Sequence, residues 1–149
     1  MGFAAPSLKG RALRLLSGRE YSRLELQRKL ATFEEEPGSL AAALDDLQAK
    51  GFISEQRVLE SVVNRRAPKL GATRIKQELQ AKGLAPEAVA QAVSELRTTE
   101  LPRARDVWRK KFGQAPADAA QRAKQMRFLA SRGFGGDTIA RVVAGGDDD

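Results

Sequence analysis

The chain has 149 residues and a mass of 16.2 kDa, room for one compact domain or a short array of smaller units. It contains neither cysteine nor histidine, which excludes disulfides, thiolate nucleophiles, imidazole bases and the usual zinc ligand sets. A net charge of +7 and a pI of 10.1 point to an acidic partner: nucleic acid, an anionic membrane face or an acidic protein surface.

With aromatics at only 5%, the core must be aliphatic, built from Leu, Val, Ile and Ala that also favour helices. The opening stretch "MGFAAPSLKGRALRLLSG" has no long apolar run ahead of a cleavage signal, and Pro6 stands where a myristoylation signal wants Ser or Thr. No window is long enough to span a bilayer, so the expectation is a soluble, cytoplasmic protein. In chain order, apolar spacing and punctuation predict helices over about 7–17, 22–32, 39–50, 54–67, 72–82, 86–98, 102–112, 117–132 and 137–144. No segment reads as a strand. Ser22 and Glu25 have the spacing of a capping box, and Pro68 closes the fourth helix. Pro86 and Pro102 suit first helical turns, and Gly83 and Gly133 stand where a left-handed residue ends a helix.

The chain repeats itself. At an offset of about 49, Leu26 falls over Ile75, Leu30 over Leu79, Leu40 over Val89, Leu44 over Val93, Leu47 over Leu96 and Val58 over Val107. A further offset of about 50 lays Leu79 over Leu129, Gly83 over Gly133, Leu84 over Phe134, Val89 over Ile139 and Val93 over Val143. Within the copies, Leu40, Ala43, Leu44 and Leu47, and again Val89, Ala92, Val93 and Leu96, form one stripe on an amphipathic helix. The expected fold is all-α: tandem three-helix repeats forming an elongated, curved array, with a single bundle of nine helices as the alternative. The divisions read from the offset are an N-terminal helix over 1–20, three-helix repeats over 21–69 and 70–116, and an incomplete third repeat over 117–149 ending in an acidic tail. Charge follows the same period. Basic residues outnumber acidic ones 7 to 2 over 1–33, 6 to 1 over 61–82 and 9 to 2 over 102–132, and the segments between them are acidic.

The stretches "LSGREYSRLELQRKL" (16–30), "LQAKGFIS" (47–54), "GATRIKQELQAKGL" (71–84) and "RFLASRGF" (127–134) together resemble the RecX family, bacterial regulators of the RecA recombinase. The likeness runs in order over nearly the whole chain. It departs from the family pattern at "ISEQRVLES" and at Gly135-Gly136, which weakens the start of the last helix. The resemblance implies tandem three-helix repeats that bind RecA and its filament on DNA and restrain ATP hydrolysis and strand exchange without catalysis. It thereby implies a part in DNA repair and recombination and in the SOS response, as a monomer with no cofactor, no metal, no membrane and at most weak, non-specific DNA binding of its own.

The residues expected to meet RecA carboxylates or DNA phosphates are Arg19, Arg23, Arg65, Arg66, Lys69, Arg74, Arg109, Lys110, Lys111, Lys124, Arg127 and Arg132. Reversing Arg65 and Arg66 to Glu is expected to weaken RecA inhibition with helicity unchanged. Tyr21, Trp108, Phe128 and Phe134 read as packing residues rather than stacking platforms. The alternative is a DNA-binding protein of helix-turn-helix type, with "GFGGDTIARVV" as recognition helix, though that segment offers only Arg141 before the acidic tail. An enzyme is the weakest reading. No GxxxxGK[ST] loop is present, and Asp45 and Asp46 sit side by side on a solvated helix where neighbours do not face each other.

Overall fold

In the computed structural model, which describes residues 5–145, aliphatic residues spaced three and four apart have produced helices alone. Among the described residues there are nine α-helices, one 3-10 turn at Ala31–Phe33 and no strand. The helices are α1 (Leu8–Leu16), α2 (Arg23–Leu30), α3 (Ser39–Ala49), α4 (Glu55–Arg66), α5 (Ala72–Ala81), α6 (Pro86–Thr98), α7 (Glu100–Lys111), α8 (Ala119–Ser131) and α9 (Gly136–Val143). The acidic tail, Asp147 to Asp149, lies outside the described residues.

Local chemistry sets the boundaries. The Ser22–Glu25 box is closed in both directions: the Ser22 hydroxyl accepts from the Glu25 N–H at 3.2 Å, and the Glu25 carboxylate accepts from the Ser22 N–H at 2.9 Å. Ser7 caps α1, and Asp118 caps α8 by accepting from the Gln121 N–H, which moves that start to Ala119. Helix α7 begins earlier than Pro102 suggests, at Glu100, because a proline in the first turn gives up an N–H that has no intrahelical partner anyway. Gly83 and Gly133 both carry positive φ, 74° and 91°, as a left-handed helix end requires.

The chain divides into two compact units. The first runs to Ser61 and takes in Lys82–Leu84, and the second takes Val62–Ala81 and the chain from Ala85 onward. In the first, α1, α2 and α3 pack on one another around Ala12, Tyr21, Leu26, Leu30, Leu40, Leu44, Leu47 and Ile53, all buried. The stripe read on α3 is therefore the face that meets α1 and α2. In the second, α5 pairs with α6, α6 with α7, and α7, α8 and α9 close on a core of Ala104, Val107, Leu129, Phe134, Ile139, Val142 and Val143. The stripe on α6, Val89, Ala92, Val93 and Leu96, is buried too. A period of three helices can be cut at three phases; the packing groups α1 with α3 and α7 with α9.

Polar joints tie the second unit together. The Gly71 N–H donates to Arg132 O at 2.8 Å and the Thr73 N–H to Gly133 O at 3.2 Å, so α5 starts against the turn that ends α8. A Cβ on Gly71 would run into the Gly133 backbone, and one on Gly133 into the Arg74 backbone. Two glycines permit this approach. Beside them Glu100, 5% exposed, accepts from the Ala72 N–H at 2.8 Å, the Gly135 N–H at 3.3 Å and the Thr138 hydroxyl at 3.5 Å. One carboxylate thus serves the N-termini of α5 and α9, where peptide dipoles favour negative charge. It also supports the Gly-Gly start of α9. Three residues along α7, Arg103 donates to the carbonyls of Ala67 and Leu70 beyond α4 and of Leu96 at the end of α6, the last also accepting from Thr99. Burial holds the Arg103 guanidinium below its ordinary pKa, with the charge of Glu100 opposing.

Candidate interaction surface

A lysine or arginine can recruit an anionic partner only if its charge is not already spent inside the protein. The structure divides the candidate cations on that criterion. Arg19 donates to Glu25 at 3.0 Å and to Glu20 O, and its guanidinium lies 3.6 Å from the centre of the Tyr21 ring. Arg23 clips α2 to α3 through Asp45 at 2.7 Å, Gln48 at 3.0 Å and Ala41 O. Arg66 holds Glu78 at 2.9 Å, with Arg65 at 4.0 Å from the same carboxylate, joining α4 to α5. Arg74 donates to Ser131 O at 2.6 Å, and Arg109 meets Asp106 one turn back. Arg19, Arg23, Arg66 and Arg74 are engaged in holding the fold, whereas the Arg109–Asp106 pair is exposed at both ends and adds little.

Glu25 shows how firmly. Burial alone would raise its pKa, but the Ser22 N–H and the side chains of Arg19 and Lys82 outweigh burial and hold the carboxyl down to about 2. The Lys82 ammonium sits 3.0 Å from it. Arg19 responds in kind: burial pulls its pKa down, yet the hydrogen bond and charge of Glu25, with Tyr21, leave it above its ordinary value.

Lys69, Lys110, Lys111, Lys124, Arg127 and Arg132 have no carboxylate partner among the described residues. All belong to the second unit. Four of them meet: Lys69, Lys110, Lys111 and Arg132 surround a depression of about 310 Å³ floored by Pro68, Val107 and Phe128. The basic C-terminal turn of α7 supplies Lys110 and Lys111, the end of α8 supplies Arg132, and the loop after α4 supplies Lys69. Phe128 anchors the arrangement. Its ring takes the edge of Phe112 at 5.5 Å between centres, and the Arg132 guanidinium and Lys111 ammonium lie 4.5 and 5.3 Å from its centre. Lys124 lines a separate depression with Phe112 and Gln121, and Arg127 lies exposed on α8.

Chemically, four cations over an aromatic and aliphatic floor suit a carboxylate or phosphate attached to something apolar. Trp108, by contrast, packs against the α7–α9 core and donates its indole N–H to Gln125 at 2.9 Å, as a packing aromatic does. Phe134 is buried in the same core. Phe128, also read as packing, both packs there and orients cations. The signal was present in the sequence: Lys111, Phe128 and Arg132 are brought together by a helical hairpin, the last two at i and i+4.

Comparison with known proteins follows the same lines. The description "RecX, third three-helix domain" matches residues 99–143, which hold α7, α8 and α9, and "RecX, second three-helix domain" matches residues 54–93. The regulatory protein RecX of Leptothrix cholodnii is 55% identical over 137 residues, 92% of this chain and 87% of that relative. The chain belongs to the RecX family. The regulatory protein RecX of Chromobacterium violaceum is 45% identical over 149 residues, 100% of this chain and 97% of its own. Among solved structures, RecX from Lactobacillus salivarius superposes with a TM-score of 0.77 at 20% identity, covering 93% of each chain. A second crystal structure of regulatory protein RecX gives 0.75 at 18% identity, over 91% of this chain and 70% of that one. At such identities these structures attest the fold. The all-α architecture of three-helix units, expected from periodicity, is the fold of this RecX-family protein.

Proposed function

We propose that this RecX-family protein binds RecA and the RecA–DNA filament and restrains ATP hydrolysis and strand exchange by occupancy, without chemistry of its own. Family membership supports the regulatory role. The observation that carries the mode of action is the cluster of unpaired cations around Phe128, positioned by three chain segments and free to meet carboxylates of a protein or phosphates of its bound DNA. Several modest contacts of this kind, made together, act through effective concentration. A regulator seated across neighbouring protomers would limit the relative motion that turnover requires. Direct DNA binding by the free protein would be weak, blind to sequence and steeply dependent on salt. The protein would work as a monomer in the cytoplasm.

The alternative of a sequence-reading helix gains nothing from α9, whose Ile139, Val142 and Val143 are buried against α7 and α8 and whose one cation is Arg141. The test is RecA-catalysed, DNA-dependent ATP hydrolysis titrated with the protein while filament length is followed. Lys110→Glu with Lys111→Glu is expected to raise the half-inhibitory concentration by about tenfold or more. Unchanged inhibition by that variant removes the cluster from the interface, and absence of inhibition by the unmodified protein removes the proposal.

A further inference from the structure

A larger depression lies elsewhere, in the first unit, and involves none of the cations considered so far. It encloses about 480 Å³ between α1, the end of α2 and the 3-10 turn that follows. Leu15, Leu30 and Phe33 make its floor, and Arg11, Arg14 and Lys29 stand around it. Phe33 is 45% exposed, among the most exposed large apolar side chains of the protein. The Arg11 guanidinium lies 3.7 Å from the centre of its ring, which fixes the ring as one wall of the groove. No carboxylate pairs with Arg11, Arg14 or Lys29 among the described residues.

An apolar pit ringed by unpaired cations calls for an occupant that is apolar at its centre and anionic at its margins. Charge complementarity excludes a basic partner. The far side of Phe33 excludes a long polyanion: Pro6 and Phe33 also line a neighbouring depression that carries Glu35 and Glu36. A phosphate backbone continuing past the ring would meet like charge there, and it brings no aliphatic group for Leu15 and Leu30. A short peptide can place one leucine-sized side chain in the pit and its carboxylates on Arg14 and Lys29, ending before the acidic side.

We propose that this groove is a docking site for an acidic peptide segment of a partner protein, anchored by one large apolar side chain. The site is separate from the cluster around Phe128 and stands whether or not that cluster meets RecA.

The test uses the full chain, isotopically labelled for amide NMR. The probe is a synthetic octapeptide of Asp and Glu with a single central Leu. Amide shifts are expected at Gly10, Arg11, Leu30 and Phe33, with an affinity reduced about tenfold by Arg14→Glu with Lys29→Glu. Phe33→Ala, or alanine in place of the peptide's leucine, should weaken binding severalfold. Both reversed residues are exposed and unpaired, so far-UV circular dichroism should be unchanged. The proposal is overturned by absent shifts at millimolar peptide, or by shifts that survive the double reversal. It is equally overturned if an oligothymidine of similar length binds the groove more tightly than the peptide, or if sedimentation shows a dimer that the double reversal abolishes, which would assign the groove to a second copy.

Discussion

Removing the Glu100 carboxylate should unfasten the second unit from the inside. Glu100→Ala leaves the N–H groups of Ala72 and Gly135 without an acceptor in a site that is 5% exposed, and frees the Thr138 hydroxyl. The 2.8 Å bond to Ala72 is short and charge-assisted, so its loss should cost about 2 kcal/mol. The longer bonds to Gly135 and Thr138 should add about 1 kcal/mol, and the lost anion at two helix N-termini a further fraction of that. The expected loss is therefore about 3 kcal/mol. Glu100→Gln keeps one acceptor oxygen for Ala72 but turns an amide NH2 toward the other donors, and should cost about 1–2 kcal/mol. Urea denaturation followed by fluorescence measures this, because the single tryptophan, Trp108, lies in the α7–α9 core and reports on this unit. A Glu100→Ala variant within about 0.5 kcal/mol of the parent protein would refute the assignment of Glu100 as a shared cap.

Gly133→Ala and Gly51→Ala change the same left-handed backbone, φ 91° and 85°, but the new methyl at 51 meets open space and the one at 133 meets Arg74. Urea titration should give about 1 kcal/mol for Gly51→Ala and about 3 kcal/mol or more for Gly133→Ala. Glu25 has a folded pKa of about 2 against an ordinary 4.5, so its pairing with Arg19 and Lys82 stabilises the fold fully above pH about 4.5 and is lost as pH falls toward 2. With Arg19 half exposed to screening water, that contribution should amount to about 1–2 kcal/mol, and Glu25→Gln should flatten the acid limb of the stability–pH curve by that amount.

The helices were legible because their signals are local. Leucine and valine at i, i+3, i+4 and i+7 mark the buried face of α3 and α6 whatever those helices pack against, and Ser22–Glu25 closes its box within four residues. The shortening of α8 was local too, but it turned on Asp118 winning the cap position. What periodicity could not reach is which side chains are already spoken for. Arg23 and Asp45 sit on different helices, as do Arg66 and Glu78, and only packing brings each pair within 3 Å. Glu100 carries no sequence mark at all; an acid in a first turn is ordinary, and its burial follows from two distant helix starts converging on it. The groove beside Phe33 is likewise a product of packing: α1 supplies Arg11 and Arg14, but only the end of α2 and the turn at Ala31–Phe33, brought against it, add Lys29, Leu30 and Phe33.

That distinction changes what a charge reversal can teach. Basic residues recur with the repeat for two physical reasons: some bridge one helix to the next, and some are left over to face a partner. Arg66 is of the first kind, so Arg65→Glu with Arg66→Glu would set two new carboxylates near Glu78 and replace an attraction between α4 and α5 by repulsion. Lost inhibition by that variant would be accompanied by a lower urea midpoint, and the two effects could not be separated. Lys110 and Lys111 are of the second kind, exposed at the end of α7 with no carboxylate partner among the described residues. Reversing them breaks no ion pair but opposes the dipole at the end of α7 and removes the Lys111 contact with Phe128, so stability should fall by only about 1 kcal/mol while inhibition and its dependence on salt weaken. If the arginine pair leaves the urea midpoint unchanged and the lysine pair lowers it more, the division of cations into fasteners and contacts is wrong at its root.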